Sequence, residues 1–154
     1  MADTPILASN PIRTPHSKLP TSTTVSHDNL KERTMQFALR ILEVVNVLPA
    51  KTPKGRNVSD QLCRSGTSVA ANYRAAARAK SPADFIHKIG TVEEEADEVL
   101  FWLELTVRSK MLPAARLSSL MQEANEIISI VVTSIRTAKS NLKSIRSCEC
   151  GARN

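Results

Sequence analysis

Apolar residues recur every three or four positions along most of the chain from residue 28 onward, a spacing typical of amphipathic helices. Proline and glycine interrupt this pattern at Pro49, Pro53, Gly55, Pro82 and Pro113. The uninterrupted stretches predict four helices, at about 28–49, 56–79, 81–110 and 113–140. Aromatic residues and glycines are few while Ala, Leu, Ile and Val are abundant, which favours an all-α fold over a sheet.

The first predicted helix has two apolar stripes instead of one. Its core stripe consists of Phe37, Ala38, Ile41, Val44, Val45 and Leu48. A rotation of about 100° per residue groups Met35, Leu39 and Leu42 on the opposite flank. A single helical bundle has one core and cannot cover both stripes, so the second stripe indicates an oligomer.

The second predicted helix has an unusually slim inward face. Its inward positions are Val58, Leu62, Ser65, Gly66, Val69, Tyr73 and Ala76. A glycine inside a helix costs about 1 kcal/mol relative to alanine, so Gly66 is expected to allow close approach of a neighbouring helix. Four arginines project from the outer side, and the fold alone does not require them: Arg56, Arg64, Arg74 and Arg78.

The third helix has a strong start signal, and all four helices are of comparable length. Ser81 suits the N-cap, Pro82 the first helical position, and Asp84 the positive helix end. Because the connections are short, neighbouring helices should run antiparallel. We therefore predict an up-down-up-down four-helix bundle over residues 28–140.

The two ends of the chain read differently from the bundle. Residues 1–27 are rich in Pro, Ser and Thr and predict a disordered arm, while residues 141–154 predict a flexible basic tail. The arm has no secretion signal, and the apolar runs are too short to cross a membrane. The odd number of cysteines suits a reducing cytoplasm, and Cys148 and Cys150 lack the further ligands of a zinc site.

The stretch "VEEEADEVLFWLEL" in the third helix holds six carboxylates, but helical geometry distributes them over several sides. This arrangement gives neither a metal site nor a pair of catalytic carboxylates, and no cofactor or enzymatic activity is predicted. We expect Glu93 and Asp97 to be partly buried and to accept hydrogen bonds from polar side chains of the second helix, namely Ser65, Ser68, Asn72 and Tyr73. Phe101 and Trp102 point outward and are expected to anchor an interface.

The net charge of +6 leaves two interpretations of function open. In the first, the protein is a non-catalytic scaffold that binds RNA or DNA phosphates through Arg56, Arg64, Arg74, Arg78, Lys80, Lys51 and Lys54. In the second, it is a structural or protein-interaction oligomer without a role in nucleic-acid binding. In this second interpretation, the acids of the third helix neutralise the arginines across subunits.

Three motifs resemble a known family: "RSGTSVAANYR" in the second helix, "SPADFIHK" at the start of the third, and "EEEADEVLFWLEL" further along it. They are similar to the bacterial four-helix bundle proteins first noted in intervening sequences of 23S ribosomal RNA genes, over about residues 30–140. This resemblance implies a homopentamer. A related branch comprises the accessory proteins of diversity-generating retroelements, which are basic pentamers that bind nucleic acid and a reverse transcriptase. A reverse transcriptase is an expected partner only if the chain belongs to that branch.

Overall fold

Four α-helices make up the fold, and the described residues include no strand. The computed structural model describes residues 27–151 and the side chains of residues 29–145, so most of the predicted arm and the side chains of Cys148 and Cys150 lie outside the described part. The helices are α1 (His27–Val47), α2 (Pro53–Ala76), α3 (Pro82–Arg108) and α4 (Ala114–Gly151). None of these helices, as far as it is described, is long and apolar enough to cross a bilayer.

The helix boundaries follow from capping residues. Ser81 caps α3 as predicted, and its hydroxyl accepts a hydrogen bond from the backbone N–H of Asp84 at 3.1 Å. Thr52 caps α2 in the same way, accepting from the N–H of Gly55 at 3.1 Å. α2 begins at Pro53, before the start predicted from the sequence at residue 56, because Pro53 does not interrupt the helix. Proline at the first helical position is compatible with a helix, since its missing N–H is not needed there.

The end of α3 is shaped by Lys110, which adopts a left-handed backbone conformation with φ of 57°. Its N–H donates to the carbonyl of Val107 at 2.9 Å, and the N–H of Met111 donates to the carbonyl of Thr106 at 3.1 Å. These two bonds form a Schellman motif, which satisfies the last carbonyls of a helix. The chain can then turn into α4 within a few residues.

All four helices contribute to one hydrophobic core, and every position predicted to face inward on α2 is buried. Apolar spacing in the sequence predicts one inward stripe on α3 that includes Leu100 and one on α4 that includes Ile128, but both stripes are too narrow. Val99 and Leu120, which lie outside these stripes, are buried, whereas Leu100 and Ile128 are only half-buried. Since α3 packs extensively against both α2 and α4, its buried arc has to be wider than one stripe.

The helices are not packed equally tightly. Contacts are extensive between α1 and α2, α2 and α3, and α3 and α4, whereas few residues of α1 approach α4. At the α1–α2 contact, a Cβ atom placed on Gly66 would lie 2.6 Å from Cγ2 of Ile41. The predicted close approach at this glycine is therefore confirmed.

The fourth helix is longer than predicted. It continues past the expected end near residue 140 to Gly151, so residues 141–151 of the predicted tail are helical. Ala138, Asn141 and Ile145, in this last part of α4, lie beside the turn that joins α2 to α3.

Candidate nucleic-acid interface

The seven cations predicted to contact phosphates are all exposed, but they occupy three separate places. Lys51, Lys54 and Arg56 lie at the start of α2 and in the turn before it, whereas Arg74, Arg78 and Lys80 lie at its other end. A rise of about 1.5 Å per residue separates Arg56 and Arg78 by about 33 Å along the helix direction. Along the direction of α2, the cations of the predicted basic outer face therefore form two groups at its ends, with one arginine between them.

Arg64, the arginine between the two ends, lies near acidic residues of α3. Its Nη2 atom is 4.0 Å from Oε1 of Glu98, which also accepts a hydrogen bond from Nε1 of Trp102 at 3.0 Å. Burial raises the pKa of Glu95 above its ordinary value, the charge of Glu98 raises it further, and Arg64 partly offsets both effects. Arg64 is thus the one predicted phosphate contact whose side chain forms a salt bridge with an acid of α3 in the described chain.

A groove of about 840 Å³ lies where the turn between α2 and α3 meets the first part of α1 and the last part of α4. We call it the basic groove because, among the residues whose side chains the structure describes, four cations line it and no carboxylate does: Lys31, Arg74, Arg78 and Lys80. Lys31 was not among the residues predicted to contact phosphates. The signal was its position in the first turns of α1, which the antiparallel pairing predicted from the sequence would bring beside the end of α2.

The nearby carboxylate, Asp84, is already engaged. Its Oδ2 atom accepts hydrogen bonds from Nζ of Lys88 at 2.8 Å and from the backbone N–H of Lys80 at 2.9 Å. These bonds, that of Lys88 first, lower the pKa of Asp84 below its ordinary value. The charge of Lys80 adds a smaller lowering, but no salt bridge between its ammonium group and Asp84 is found in the described structure.

The rest of the basic groove is largely apolar. Phe85 and Pro82 at the start of α3, alanines of α2 and Ile145 of α4 line this part, which we call the apolar floor. Phe85 is half-buried, and Ile145 is 51% exposed. Ser81 and Asn141 supply polar groups beside this apolar floor.

A second groove, of about 530 Å³, runs between α1 and α2 and contains the second apolar stripe. Met35, Leu39 and Leu42 line it together with alanines of both helices, and Arg74 and Arg78 stand at its border. Leu39 is 47% exposed, while Met35 and Leu42 are half-buried. We call this the apolar groove, and its two arginines also line the basic groove.

The two predicted interface aromatics lie together on α3. The rings of Phe101 and Trp102 meet edge to face, with centroids 5.0 Å apart. Phe101 is 56% exposed, whereas Trp102 is half-buried against the core. With the exposed Leu105, they give α3 a small apolar surface of its own.

The polar residues predicted to join α2 and α3 are arranged differently from the expectation. Tyr73 is buried and Glu93 and Asn72 are half-buried, but Asp97 is exposed, contrary to the prediction that it is partly buried. The hydroxyl of Ser65 donates to the carbonyl of Gln61 in its own helix at 2.8 Å. This bond satisfies a buried hydroxyl without a carboxylate, because the carbonyl of residue i−4 is within its reach.

Groups of acidic, histidine and cysteine side chains that could hold a metal are not found in the part of the chain that the structure describes.

Comparisons with known proteins place this geometry in a family. No curated protein matches the chain. A solved structure of a protein with unknown function from the S23 ribosomal protein family of Bacteroides thetaiotaomicron VPI-5482 is 34% identical, with a TM-score of 0.64. The match covers 69% of this chain and 97% of that chain. The model of the 23S rRNA-intervening sequence protein family matches residues 28–133. The chain therefore belongs to the 23S rRNA-intervening sequence protein family.

Proposed function

We propose that this protein is a non-catalytic, oligomeric accessory or scaffold protein that binds nucleic acid through its outer cations. One observation carries the proposal. With the exception of Arg64, none of the seven predicted phosphate contacts forms an ion pair with a carboxylate of the described residues. Cations that are exposed and unpaired can contact phosphates without first breaking an internal salt bridge.

The physical basis of such binding is the release of counterions from the nucleic acid. Each phosphate that a Lys or Arg neutralises lowers the slope of log affinity against log salt concentration by about 0.7 to 0.9. The contacts reach the backbone instead of base edges, so sequence preference is expected to be weak. Several copies of the chain in one assembly multiply a modest patch into a useful affinity.

We propose that the assembly is a homopentamer of up-down-up-down antiparallel bundles, as the family resemblance implies. Connections of five residues between consecutive helices support the antiparallel order. The apolar groove and the α3 surface around Phe101 are two different patches. A contact between different patches of two copies is heterologous, and such contacts build rings when the rotation closes.

The position of Gly90 supports the proposal that another copy packs against the outer side of α3. It lies three helical turns before Phe101, on the same side of the helix. A Cβ atom placed on Gly90 would meet nothing within 4 Å in the described chain. Because glycine costs about 1 kcal/mol relative to alanine inside a helix, close approach of another copy would account for its presence.

The nucleic-acid proposal is tested by fluorescence anisotropy with a labelled RNA and a labelled DNA at salt concentrations from about 50 to 200 mM. We expect binding at low salt that weakens steeply as salt rises, and weaker binding by Arg74→Ala/Arg78→Ala. Absence of binding at low salt, or unchanged binding by this double variant, would contradict the proposal.

The assembly is tested separately by sedimentation velocity. We expect the wild type to sediment as one oligomeric species and Leu39→Glu to sediment as a smaller one, because a charge is then placed in the apolar groove. Ala115→Glu, an equal charge change at an exposed position of α4, is the control and should assemble like the wild type.

A second candidate function is a structural oligomer that does not bind nucleic acid. The approach of Arg64 to Glu98 favours it, since it shows that an arginine of α2 can reach an acid of α3. In that case the wild type assembles but binds neither RNA nor DNA, even at low salt.

A further inference from the structure

We propose that the basic groove, defined by Lys31, Arg74, Arg78 and Lys80, is a site for one or two unpaired nucleotides of a nucleic acid. Phosphates would contact the cations at its rim, and one base would lie on its apolar floor. This inference rests on the proposed function and adds to it the place of binding and the strandedness of the ligand.

The basic groove concentrates positive charge. Its four cations come from α1, α2 and the turn that follows α2, so residues far apart in the sequence converge on one cavity. None of the described side chains from 29 to 145 that line the groove is a carboxylate, and Asp84 beside it is engaged by Lys88 and by the backbone of Lys80. Four like charges around one cavity repel one another, so an anionic occupant relieves that repulsion.

The apolar floor of the groove suits a nucleic-acid base. Phe85 offers a half-buried aromatic ring, flanked by Pro82 and the exposed Ile145. A nucleic-acid base has flat apolar faces and a polar edge, and stacking on an aromatic ring favours binding of any base. Ser81 and Asn141 also line the groove and would offer polar partners to a base edge. Inorganic phosphate alone would leave this floor unused.

The size of the groove suits a nucleotide. A volume of about 840 Å³ lies within the roughly 300–1,000 Å³ of pockets that hold ligands of drug size, and a nucleotide is such a ligand. In a double helix the bases are stacked inside and cannot enter a groove of this kind. An unpaired segment can direct its phosphates to the rim and turn a base inward.

The test uses the full-length protein, a labelled single-stranded RNA of about 12 nucleotides and the same RNA annealed to its complement. Lys31→Glu/Lys80→Glu changes only the basic groove, because neither residue lines the apolar groove. Lys51→Glu/Lys54→Glu makes the same charge change at the other end of α2. We expect the first variant to bind the single strand at least about tenfold more weakly, with a salt slope shallower by about 1.4, and the second to change affinity less than about twofold.

A second readout locates the base directly. The RNA carries one 4-thiouridine, and after irradiation the crosslinked peptides are mapped by mass spectrometry. Crosslinks within residues 76–85 or 138–145 support the proposal, whereas crosslinks confined to residues 51–56 contradict it. This readout remains informative if a charge variant proves less stable than the wild type.

The outcomes separate this inference from the proposed function. If the wild type binds neither RNA at low salt, the proposed function fails and this inference fails with it. If the wild type binds but both charge variants weaken binding equally, or if the duplex binds as tightly as the single strand, only the basic-groove inference is overturned.

Discussion

Helix α1 meets its two neighbours by different means. Against α2 the contact is apolar and close, with the backbone at Gly66 lying against the buried side chain of Ile41. Against α4 few residues approach, and long polar side chains bridge the two helices. Nε of Arg33 donates to Oε1 of Glu123 at 2.6 Å, and Nη2 of Arg33 donates to Glu126.

This difference shows how one helix can be held both by shape and by charge. The stability that a close apolar contact contributes falls steeply when a single atom is added or removed, because the core is close-packed. A bridge made by a long side chain tolerates changes in spacing, but in a partly exposed position each ion pair contributes only about 0–1 kcal/mol. The α1–α2 contact should therefore be more sensitive to substitution than the α1–α4 contact.

The largest expected effect is that of Gly66→Ala. The new Cβ atom would lie 2.6 Å from Cγ2 and 2.9 Å from Cβ of Ile41, which is fully buried and cannot swing aside. Overpacking of this kind costs about 1–3 kcal/mol, while alanine gains about 1 kcal/mol in helix propensity. We expect a net loss of up to about 2 kcal/mol in the free energy of unfolding, measured by urea denaturation.

Gly90→Ala is the matched control for that substitution. It makes the same chemical change in a helix interior, but no atom lies within 4 Å of the added carbon in the described chain. In the dissociated Leu39→Glu background we expect a gain of up to about 1 kcal/mol. If Gly66→Ala and Gly90→Ala change the free energy of unfolding in the same direction in this background, close packing at Gly66 is not the cause of the effect of Gly66→Ala.

Arg33→Met should have the next largest effect. Methionine fills a similar volume but leaves Glu123, whose side chain is 22% exposed, without its partner. We expect a loss of about 1 kcal/mol in the free energy of unfolding, and a smaller loss for Arg33→Lys, since an ammonium group cannot span both carboxylates equally well. Arg116→Met, an exposed arginine of α4 outside the bridge, should change stability by less than about 0.5 kcal/mol.

The same bridge predicts a dependence on pH. The hydrogen bond from Arg33 holds the pKa of Glu126 below its ordinary value, and a bond from Gln122 adds to this effect. A lowered folded-state pKa contributes stability above the pKa of the unfolded chain, near 4.5, and that contribution is lost as pH falls through the folded-state value. Thermal melting of the wild type and Arg33→Met should therefore differ at pH 7 and converge as pH falls below 4.5 and through the lowered folded-state pKa of Glu126. A difference that stays constant down to pH 3 would rule out the ionic bridge.

Arg40→Ala should have the smallest effect. Its Nη2 atom donates to the hydroxyl of Ser119 at 3.0 Å in an exposed position. Such a bond competes with water, so we expect a change of less than about 0.5 kcal/mol. A double-mutant cycle with Ser119→Ala would give a coupling energy near zero. A coupling above about 1 kcal/mol would mean that the α1–α4 contact is stronger than its sparse packing indicates.

The parts of this comparison that could be predicted from the sequence are those set by local pattern. The slim inward face of α2 and the close approach at Gly66 follow from residue size along one helix. The bridge between Arg33 and Glu123 joins residues ninety positions apart, and it depends on the rotation and spacing of two helices, which no local pattern fixes. Lys31 was missed for the same reason, because the basic groove exists only where several segments converge.

Arg74 and Arg78 border both the apolar groove and the basic groove. A guanidinium group that is drawn toward an occupant of one groove is withdrawn from the other, so the two occupants are energetically linked. Thermodynamic reciprocity then requires each occupant to alter the affinity of the other by the same factor. An occupant of the apolar groove with carboxylates at its edge competes with phosphate for these side chains and gives negative heterotropic coupling. A neutral occupant leaves them directed toward the phosphate.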